Sequence, residues 1–228
     1  MSAPISVLSY NLWHGRAQGE LPHLERTYQP DVICIQEARG HTLATSIDGM
    51  QLAITTARNR LGVGVYVRRS RFAIEEARVF NLAVSRHDRL VGGTDQRLAA
   101  ARVRDLQNQR QLVFGSFHAT PFTDSNAVRR RQVDEAHRAL ADLGPGLPVA
   151  MAGDYNHPLL LFMLGLHVRR QGFALAHTSS STFHKDGSIM RGKFDVATVS
   201  QLEVSACEVL AQGASDHKPV LFTMDYTE

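Results

Sequence analysis

The chain has 228 residues, 43% of them hydrophobic and 21% charged, a balance that excludes both a disordered chain and a membrane-embedded one. Its 25 basic residues face 22 acidic ones, for a formal charge of +3 that does not by itself identify a nucleic-acid binder. Apart from Lys185, Lys193 and Lys218 the basic residues are all arginine; the guanidinium fork suits phosphate, although genome composition produces the same bias. The N-terminal residues show no basic-then-apolar leader pattern. The longest apolar run, residues 158–166, is far short of the ~20 needed to span a bilayer. Cys34 and Cys207 lie in apolar, strand-like stretches and read as small buried hydrophobes in a reducing compartment. The expectation is a soluble cytoplasmic protein with no stable membrane association.

In chain order, short segments rich in Val, Ile and Phe and bounded by Gly, Asn, Asp or Pro predict strands at 5–12, 32–36, 51–55, 62–68, 73–80, 99–104, 112–118, 148–152, 194–199, 204–210 and 219–224. Several are apolar on consecutive residues, as in strands covered on both faces. Helices are fewer. Residues 20–28 form one. Residues 124–143 form the clearest, because Val133, Ala136, Leu140 and Leu143 step by three, four and three into one buried stripe, with Arg129, Arg130, Arg131 and Arg138 mostly elsewhere. Thr123 or Asp124 is expected to cap it, and Gly144-Pro145-Gly146 to end it. A third helix, 158–172, is apolar all round through Leu159–Leu164 and reads as fully buried, the alternative being a partner-binding or lipid-facing surface. Residues 85–96 and 177–193 are polar, long loops of the kind that carry function or motion. With no repeat, no linker and no break in composition, the chain reads as one domain of sheets with helices packed outside.

Polar residues recur where strands end, the positions at which a rigid sheet displays catalytic groups. Asn11 closes the first strand, Glu37 follows the second, His118 ends 112–118, Gly153-Asp154-Tyr155-Asn156 follows 148–152, and Asp216-His217 precedes the last strand. Each alone has an ordinary reading as turn chemistry or a satisfied polar group. Together they supply hard oxygen ligands in Glu37, Asp154 and Asp216, with amides from Asn11 and Asn156. That set suits Mg²⁺ or Mn²⁺ and, lacking a Cys/His cluster, does not suit zinc. His118 and His217 can donate to a phosphate, and Asp195 can orient an imidazole. Phosphoester hydrolysis needs an activated water, charge compensation on the phosphoryl oxygens and help for the leaving oxygen, and each role has a candidate.

Asn11-Leu12-Trp13, Gln36-Glu37, Phe117-His118, Gly153-Asp154-Tyr155-Asn156, Phe194-Asp195 and Ser215-Asp216-His217 occur in the order and approximate spacing of the endonuclease/exonuclease/phosphatase (DNase I-like) superfamily, which the chain resembles from residue 11 to residue 217. The resemblance implies an α/β fold, a four-layered αββα sandwich with two facing mixed β-sheets, and divalent-metal-dependent hydrolysis by direct in-line attack of water with no covalent intermediate. It makes Glu37 the principal metal ligand, with Asn11 and Asp216 nearby. Asp154 and Asn156 would hold the water and bind phosphate, His217 oriented by Asp195 would contact the scissile phosphate, and His118 would donate to a phosphate oxygen. Arg39 resembles the DNA-contacting arginine in the Gln-Glu-x-Arg run of DNase I.

The chain also departs from that pattern. Trp13 stands where some nucleases carry an extra metal-binding Asp, Val196-Ala197-Thr198 replaces a more aromatic strand, and the segment Leu159–Leu164 is unusually apolar; these changes weaken assignment to the apurinic-site endonuclease branch. The leading expectation is a Mg²⁺- or Mn²⁺-dependent phosphodiesterase on nucleic acid, motivated by the site and by Arg68-Arg69, Arg71, Arg86, Arg89 and Arg129-Arg130-Arg131. A second keeps the reaction on a phospholipid, inositol phosphate or small metabolite. A third, an inactive binding protein on the same fold, sits poorly with an intact residue set.

Overall fold

A computed structural model of the chain describes residues 3–56, 61–84, 95–121, 123–157, 160–184 and 191–227. The first part contains β1 (Ile5–Asn11), α1 (Leu21–Tyr28), β2 (Val32–Ala38), β3 (Ser46–Ile47), β4 (Met50–Thr55) and β5 (Gly62–Arg68). The chain then crosses to a second sheet through β6 (Phe72–Asn81), β7 (Gln96–Asp105), β8 (Gln111–His118), α2 (Asn126–Leu143) and β9 (Val149–Asp154). It continues with α3 (Leu161–Arg169), β10 (Ala174–Ala176), β11 (Phe183–His184), β12 (Arg191–Gly192), β13 (Asp195–Ser200), β14 (Leu202–Val209) and β15 (Val220–Tyr226).

The strands form a seven-stranded sheet, ordered β14-β15-β1-β2-β5-β4-β3, a six-stranded sheet, ordered β10-β13-β9-β8-β7-β6, and the small ribbon β11-β12. Each large sheet has one parallel pair near its middle, β1 with β2 and β8 with β9. A parallel pair requires a long crossover, here supplied by α1 and α2. In both pairs the strands therefore end together, Asn11 level with Gln36 and His118 level with Asp154.

Apolar faces dictate the layers. Val7, Cys34 and Val65 of the first sheet pack against Phe114, Ala152 and Ala197 of the second. On the outer face of the first sheet, Leu21 and Leu24 of α1 cover Leu8, Ile33 and Tyr66. Val133, Ala136 and Leu140 of α2 and Leu164 and Val168 of α3 cover Val113, Met151 and Val196 of the second. This is the helix–sheet–sheet–helix arrangement expected from the sequence, with fully buried side chains contributing about 1.5–3 kcal/mol each.

Two polar devices cross the sandwich. Ser116 Oγ donates to Ile35 O at 2.8 Å and accepts from Gln36 Nε2 at 3.0 Å, tying β8 to β2. In the β5–β6 turn, buried Arg71 pairs with Asp31 at 2.8 Å and Asp105 at 3.5 Å and donates to Pro4 O at 2.6 Å. Removing one partner from such a buried cluster costs about 3–5 kcal/mol.

Several local expectations are corrected. Helix α2 starts at Asn126 and is capped by Ser125, whose side chain accepts from Val128 N at 3.3 Å. Asp124 instead accepts from Thr120 Oγ1 at 2.6 Å. Arg129 is buried, donating to Pro121 O at 2.7 Å. Cys207 is only half-buried, on an edge strand. The polar stretch 177–193 contributes β11 and β12, too short and too polar for periodicity to reveal. Helix α3 is not the fully buried helix expected: Leu164 and Val168 are buried, but Phe162, Met163 and Leu166 are exposed. Residues 85–94, with Arg86 and Arg89, as well as Pro158, Leu159 and 185–190, lie outside the described residues.

Behind the second sheet, His137 of α2 is sealed in. Its Nδ1 donates to Gln171 Oε1 at 2.8 Å, its Nε2 lies 2.9 Å from Thr198 Oγ1, and its ring stacks on Phe173 at 3.7 Å. Burial pushes this imidazole down to about 4. The unfolded chain protonates its histidine near pH 6.5, so His137's contribution is fully present above that pH and is lost as pH falls toward 4. About 3 kcal/mol of stability rides on this interval. Urea unfolding between pH 7.5 and 4 is expected to show a shallower acid-side decline in His137→Gln than in the native protein.

Candidate active site

The ends of the two parallel pairs meet at one edge of the sandwich. After β1 the chain turns through Trp13, His14 and Gly15, with φ of 45°, 54° and 78°. Gly15 is needed there for a second reason, since a Cβ would sit 2.8 Å from Arg39 Cγ. In β2 the pairing register with β5 breaks between Ile35 and Ala38, and Glu37 takes φ 52°. A bulge of this kind re-aims a side chain at a sheet end. Two left-handed non-glycine residues and Glu37 cost about 1–3 kcal/mol each. The geometry they secure is specific: His14 N–H donates to Glu37 Oε2 at 3.1 Å, and the His14 ring lies 3.5 Å from the same oxygen.

Across the sandwich, Gly153 lets β9 approach β8, because a Cβ there would meet Phe117 O at 1.9 Å. Asp154 follows, 2% exposed. Its Oδ1 accepts from Asn156 N at 2.8 Å. Its Oδ2 accepts from Asn11 Nδ2 of the other sheet at 3.0 Å, with His118 Nε2 at 3.7 Å and His217 Nε2 at 3.6 Å. Asn11 Nδ2 also reaches Glu37 Oε1 at 3.4 Å, and His118 Nε2 lies 3.8 Å from that oxygen. Asn156, itself at φ 47°, is held by donation to Ala119 O at 3.2 Å.

His217 Nδ1 and Asp195 Oδ2 are 2.8 Å apart, and both residues are buried. Phe183 stands edge-on to the imidazole at 4.9 Å, and Phe194 at 6.1 Å, so the pair is wrapped in apolar surface. Thr182 Oγ1 accepts the backbone N–H groups of Phe194 and Asp195 at 3.0 and 3.2 Å. Ser215 Oγ donates to Asn11 O at 2.7 Å and accepts from His217 N at 3.0 Å, tying the last loop to β1.

These surroundings set the charges. Burial pushes the Glu37 carboxyl up, but His118, His14, His217 and the Asn11 amide pull it down further, and it lies below its ordinary value. Burial pushes Asp154 up, reinforced by Asp195 and Glu37 and opposed by His217 and the Asn156 N–H. Burial alone would lower His217, yet Asp195 and Asp154 outweigh it and hold the ring protonated well above a free histidine. The edge therefore carries a charged carboxylate at Glu37, an imidazolium at His217 and a proton-accepting carboxyl at Asp154.

Sequence-selected Asn11, Glu37, His118, Asp154, Asn156, Asp195 and His217 all converge here. Asp216 is half-buried beside them, its charge adding to the elevation of the His217 pKa and its backbone O accepting from His184 N at 2.8 Å. Arg39 is exposed at the rim and donates to His14 O at 3.1 Å. His14, Thr182 and Ser116 were not singled out by sequence reasoning. His14, three residues past Asn11 and followed by glycine, had a legible signal; Thr182 and Ser116 act through backbone groups far away in sequence and had none.

Among the described residues no three His, Cys, Asp or Glu side chains form a closed metal cage. A hard cation such as Mg²⁺ needs no such cage, being bound by one or two carboxylates and completed by water and substrate phosphate. Ionised, partly exposed Glu37 fits that role. Asn11 turns its Nδ2 toward the carboxylates, and its Oδ1 accepts from Trp13 N at 3.0 Å.

The model of the Endonuclease/Exonuclease/phosphatase family matches residues 8–217. The chain belongs to this family, whose members are phosphoester hydrolases and generally depend on a divalent metal. No curated protein sequence matches it. Among solved structures it resembles an endonuclease/exonuclease/phosphatase from Bacteroides vulgatus, with TM-score 0.81 and 16% identity over 99% of this chain and 100% of that one. The human Nocturnin catalytic domain with bound sulfate gives 0.75 and 17%, covering 100% and 96%. D. rerio TDP2 complexed with a single-strand DNA product gives 0.73 and 16%, covering 98% and 100%. At these identities the structures establish the shared fold.

Replacing Ser116 by alanine strips a partner from both Ile35 O and Gln36 Nε2 in the buried floor of the site. A loss of about 1–3 kcal/mol is expected in urea unfolding, with the secondary structure unchanged by circular dichroism.

Proposed function

We propose that the chain is a divalent-metal-dependent phosphodiesterase in which water attacks phosphorus directly. The observation that carries this reading is the convergence of Asn11, His118 and His217 on Asp154 beside Glu37. Donors aimed at one point are what a phosphoryl group requires as its charge redistributes. Glu37 would hold Mg²⁺ or Mn²⁺, with Asn11 and Asp216 beside it, and the bound metal would supply Lewis-acid compensation on a phosphoryl oxygen. Asp154 is placed to take the proton of the attacking water, with Asn156 steadying its carboxylate. His217, kept charged by Asp195, faces the phosphate as an electrostatic partner and proton donor, and His118 donates to a phosphate oxygen.

Nucleic acid is the first substrate reading, supported by a rim in which Arg16 lies 3.8 Å over the Trp13 ring next to Arg39. Such aromatic–arginine surfaces suit stacked bases and phosphates. A second reading, a smaller or lipid phosphoester, is favoured by a different observation: many of the arginines are engaged inside the protein. Arg68 pairs with Glu25 at 3.0 Å and Arg102 with Glu76 at 3.2 Å, while Arg71, Arg97 and Arg129 are buried. A panel of plain, abasic and tyrosyl DNA, RNA, sphingomyelin and inositol phosphates, with Mg²⁺, Mn²⁺ and chelator, separates the readings.

Asp154→Asn and His217→Ala are each expected to lower turnover by at least about a hundredfold, in line with loss of general acid–base catalysis, while the urea midpoint shows that the fold survives. Unchanged turnover in both overturns the assignment. Chelator is expected to abolish activity and added Mg²⁺ or Mn²⁺ to restore it. On nucleic acid, binding should weaken steeply between 50 and 200 mM salt, and a flat salt response selects the second reading.

A further inference from the structure

Four of the five exposed large apolar side chains among the described residues belong to one short stretch: Leu160, Phe162, Met163 and Leu166, at 64, 75, 50 and 37% exposure. Scattered exposed hydrophobics are ordinary, but a contiguous set marks a binding surface. On α3, Phe162, Met163, Leu166, Arg169 and Arg170 recur at offsets of one, four, seven and eight and share one face, opposite the buried Leu164 and Val168. That face is apolar for its first turns and cationic at its end. Arg169 and Arg170 have no ion-pair partner among the described residues, and Asp134 of the packed helix α2 is engaged by His167 at 2.6 Å.

The surface does not end at the helix. Between α3 and β10 runs a groove of about 300 Å³ bordered by Phe162, Leu166 and Arg169. Through Ala174, Leu175 and His177 it meets a cleft of about 540 Å³ at the open edge between the two sheets, lined by Val199, Leu202 and Val204, with Glu203 as its acidic residue. Volumes of this size accept small-molecule ligands. A flat protein partner has no need of a groove continuing away from its contact surface, whereas an acyl chain can use one.

We propose that α3 is a peripheral docking surface for an anionic lipid bilayer, with Leu160, Phe162, Met163 and Leu166 entering the acyl boundary, Arg169 and Arg170 meeting the headgroups, and the groove behind α3 admitting an acyl chain. Such interfacial helices combine an apolar side with basic residues and bind reversibly. No helix of the described residues is long and apolar enough to cross a membrane, and none is needed. Leu160 stands six residues from Asp154, a span of at most about 22 Å even when fully extended, so docking would bring the candidate active-site edge close to the bilayer. The inference stands apart from the catalytic roles assigned above.

Vesicle flotation of the full chain tests it, using phosphatidylcholine alone and phosphatidylcholine with 30% phosphatidylglycerol as an approximate anionic fraction. The protein is expected to float with the anionic vesicles and to be released by salt. Phe162→Ser/Met163→Ser and Arg169→Glu/Arg170→Glu are each expected to weaken this partition by about tenfold or more, while hydrolysis of soluble bis(p-nitrophenyl) phosphate by both variants stays at the native level. Asp154→Asn should float like the native protein, which separates failure of docking from failure of the catalytic reading. Absence of native flotation, or equal flotation by the double variants, overturns the proposal. So does a native dimer in size-exclusion chromatography that Phe162→Ser/Met163→Ser dissolves without any vesicle binding, since the patch then covers a second copy of the chain.

Discussion

The hydroxyl of Ser116 holds the middle of β8 against the middle of β2, one residue before the bulge that aims Glu37 and two before the end of the strand at His118. Everything at the candidate site depends on that spacing. Asn11 belongs to one sheet and Asp154 to the other, yet they meet at 3.0 Å. Two sheets packed only through apolar side chains settle about 10 Å apart, with tolerance for sliding. A hydroxyl that donates to a backbone carbonyl and accepts from a buried amide removes that tolerance, because a shift of an ångström would leave buried polar groups without partners. The Arg71 cluster performs the equivalent service at the Pro4–Asp31–Asp105 end. The sandwich is pinned by polar contacts at separate points along its length and filled by hydrocarbon between them.

Within that frame the chain places strain and charge where they serve the edge. Trp13, His14, Glu37 and Asn156 are left-handed residues, and each lies within the loops or bulges that present the site. None is glycine, so the conformations are sustained by surrounding contacts such as His14 N–H to Glu37 and Asn156 Nδ2 to Ala119 O. Among the described residues, five further left-handed non-glycine residues, Gln29, Asp48, Gln109, Leu160 and Gln201, lie elsewhere in the chain. The arginine content has a different explanation. Arg68, Arg71, Arg97, Arg102, Arg104 and Arg129 bind carboxylates or backbone carbonyls of the protein itself, so part of the arginine content read from composition is structural.

How much of this the sequence carried depends on the range of the interaction. Strands such as 62–68 and 112–118 were legible because local apolar patterning and turn residues agree with the final sheets. The site residues were legible because each stands where a strand ends, and strand ends on neighbouring parallel strands are level with one another. Helix α3 was misjudged for a physical reason. Leu159–Leu164 has no polar face, and periodicity alone cannot say which side of such a helix meets the sheet or whether the other side is covered. Ser125 as the cap of α2, one residue beyond the expected pair, turned on a choice among adjacent capping residues that only the backbone makes. Ser116 and Thr182 were invisible because their partners lie across the sandwich or across a hairpin.

The proton inventory of the edge follows from the same geometry. Asp154 is buried between a carboxylate-rich side, Glu37 and Asp195, which raises its pKa, and the imidazolium of His217, which opposes that rise. Asp195 acts in two directions: it favours the protonated His217 ring and, as a neighbouring carboxylate, raises the Asp154 pKa. The Asp195–His217 pair therefore does more than orient a ring: its charges also bear on the Asp154 carboxyl, His217 lowering its pKa and Asp195 raising it. Because Phe183 and Phe194 exclude water from this pair, the coupling is transmitted with little screening.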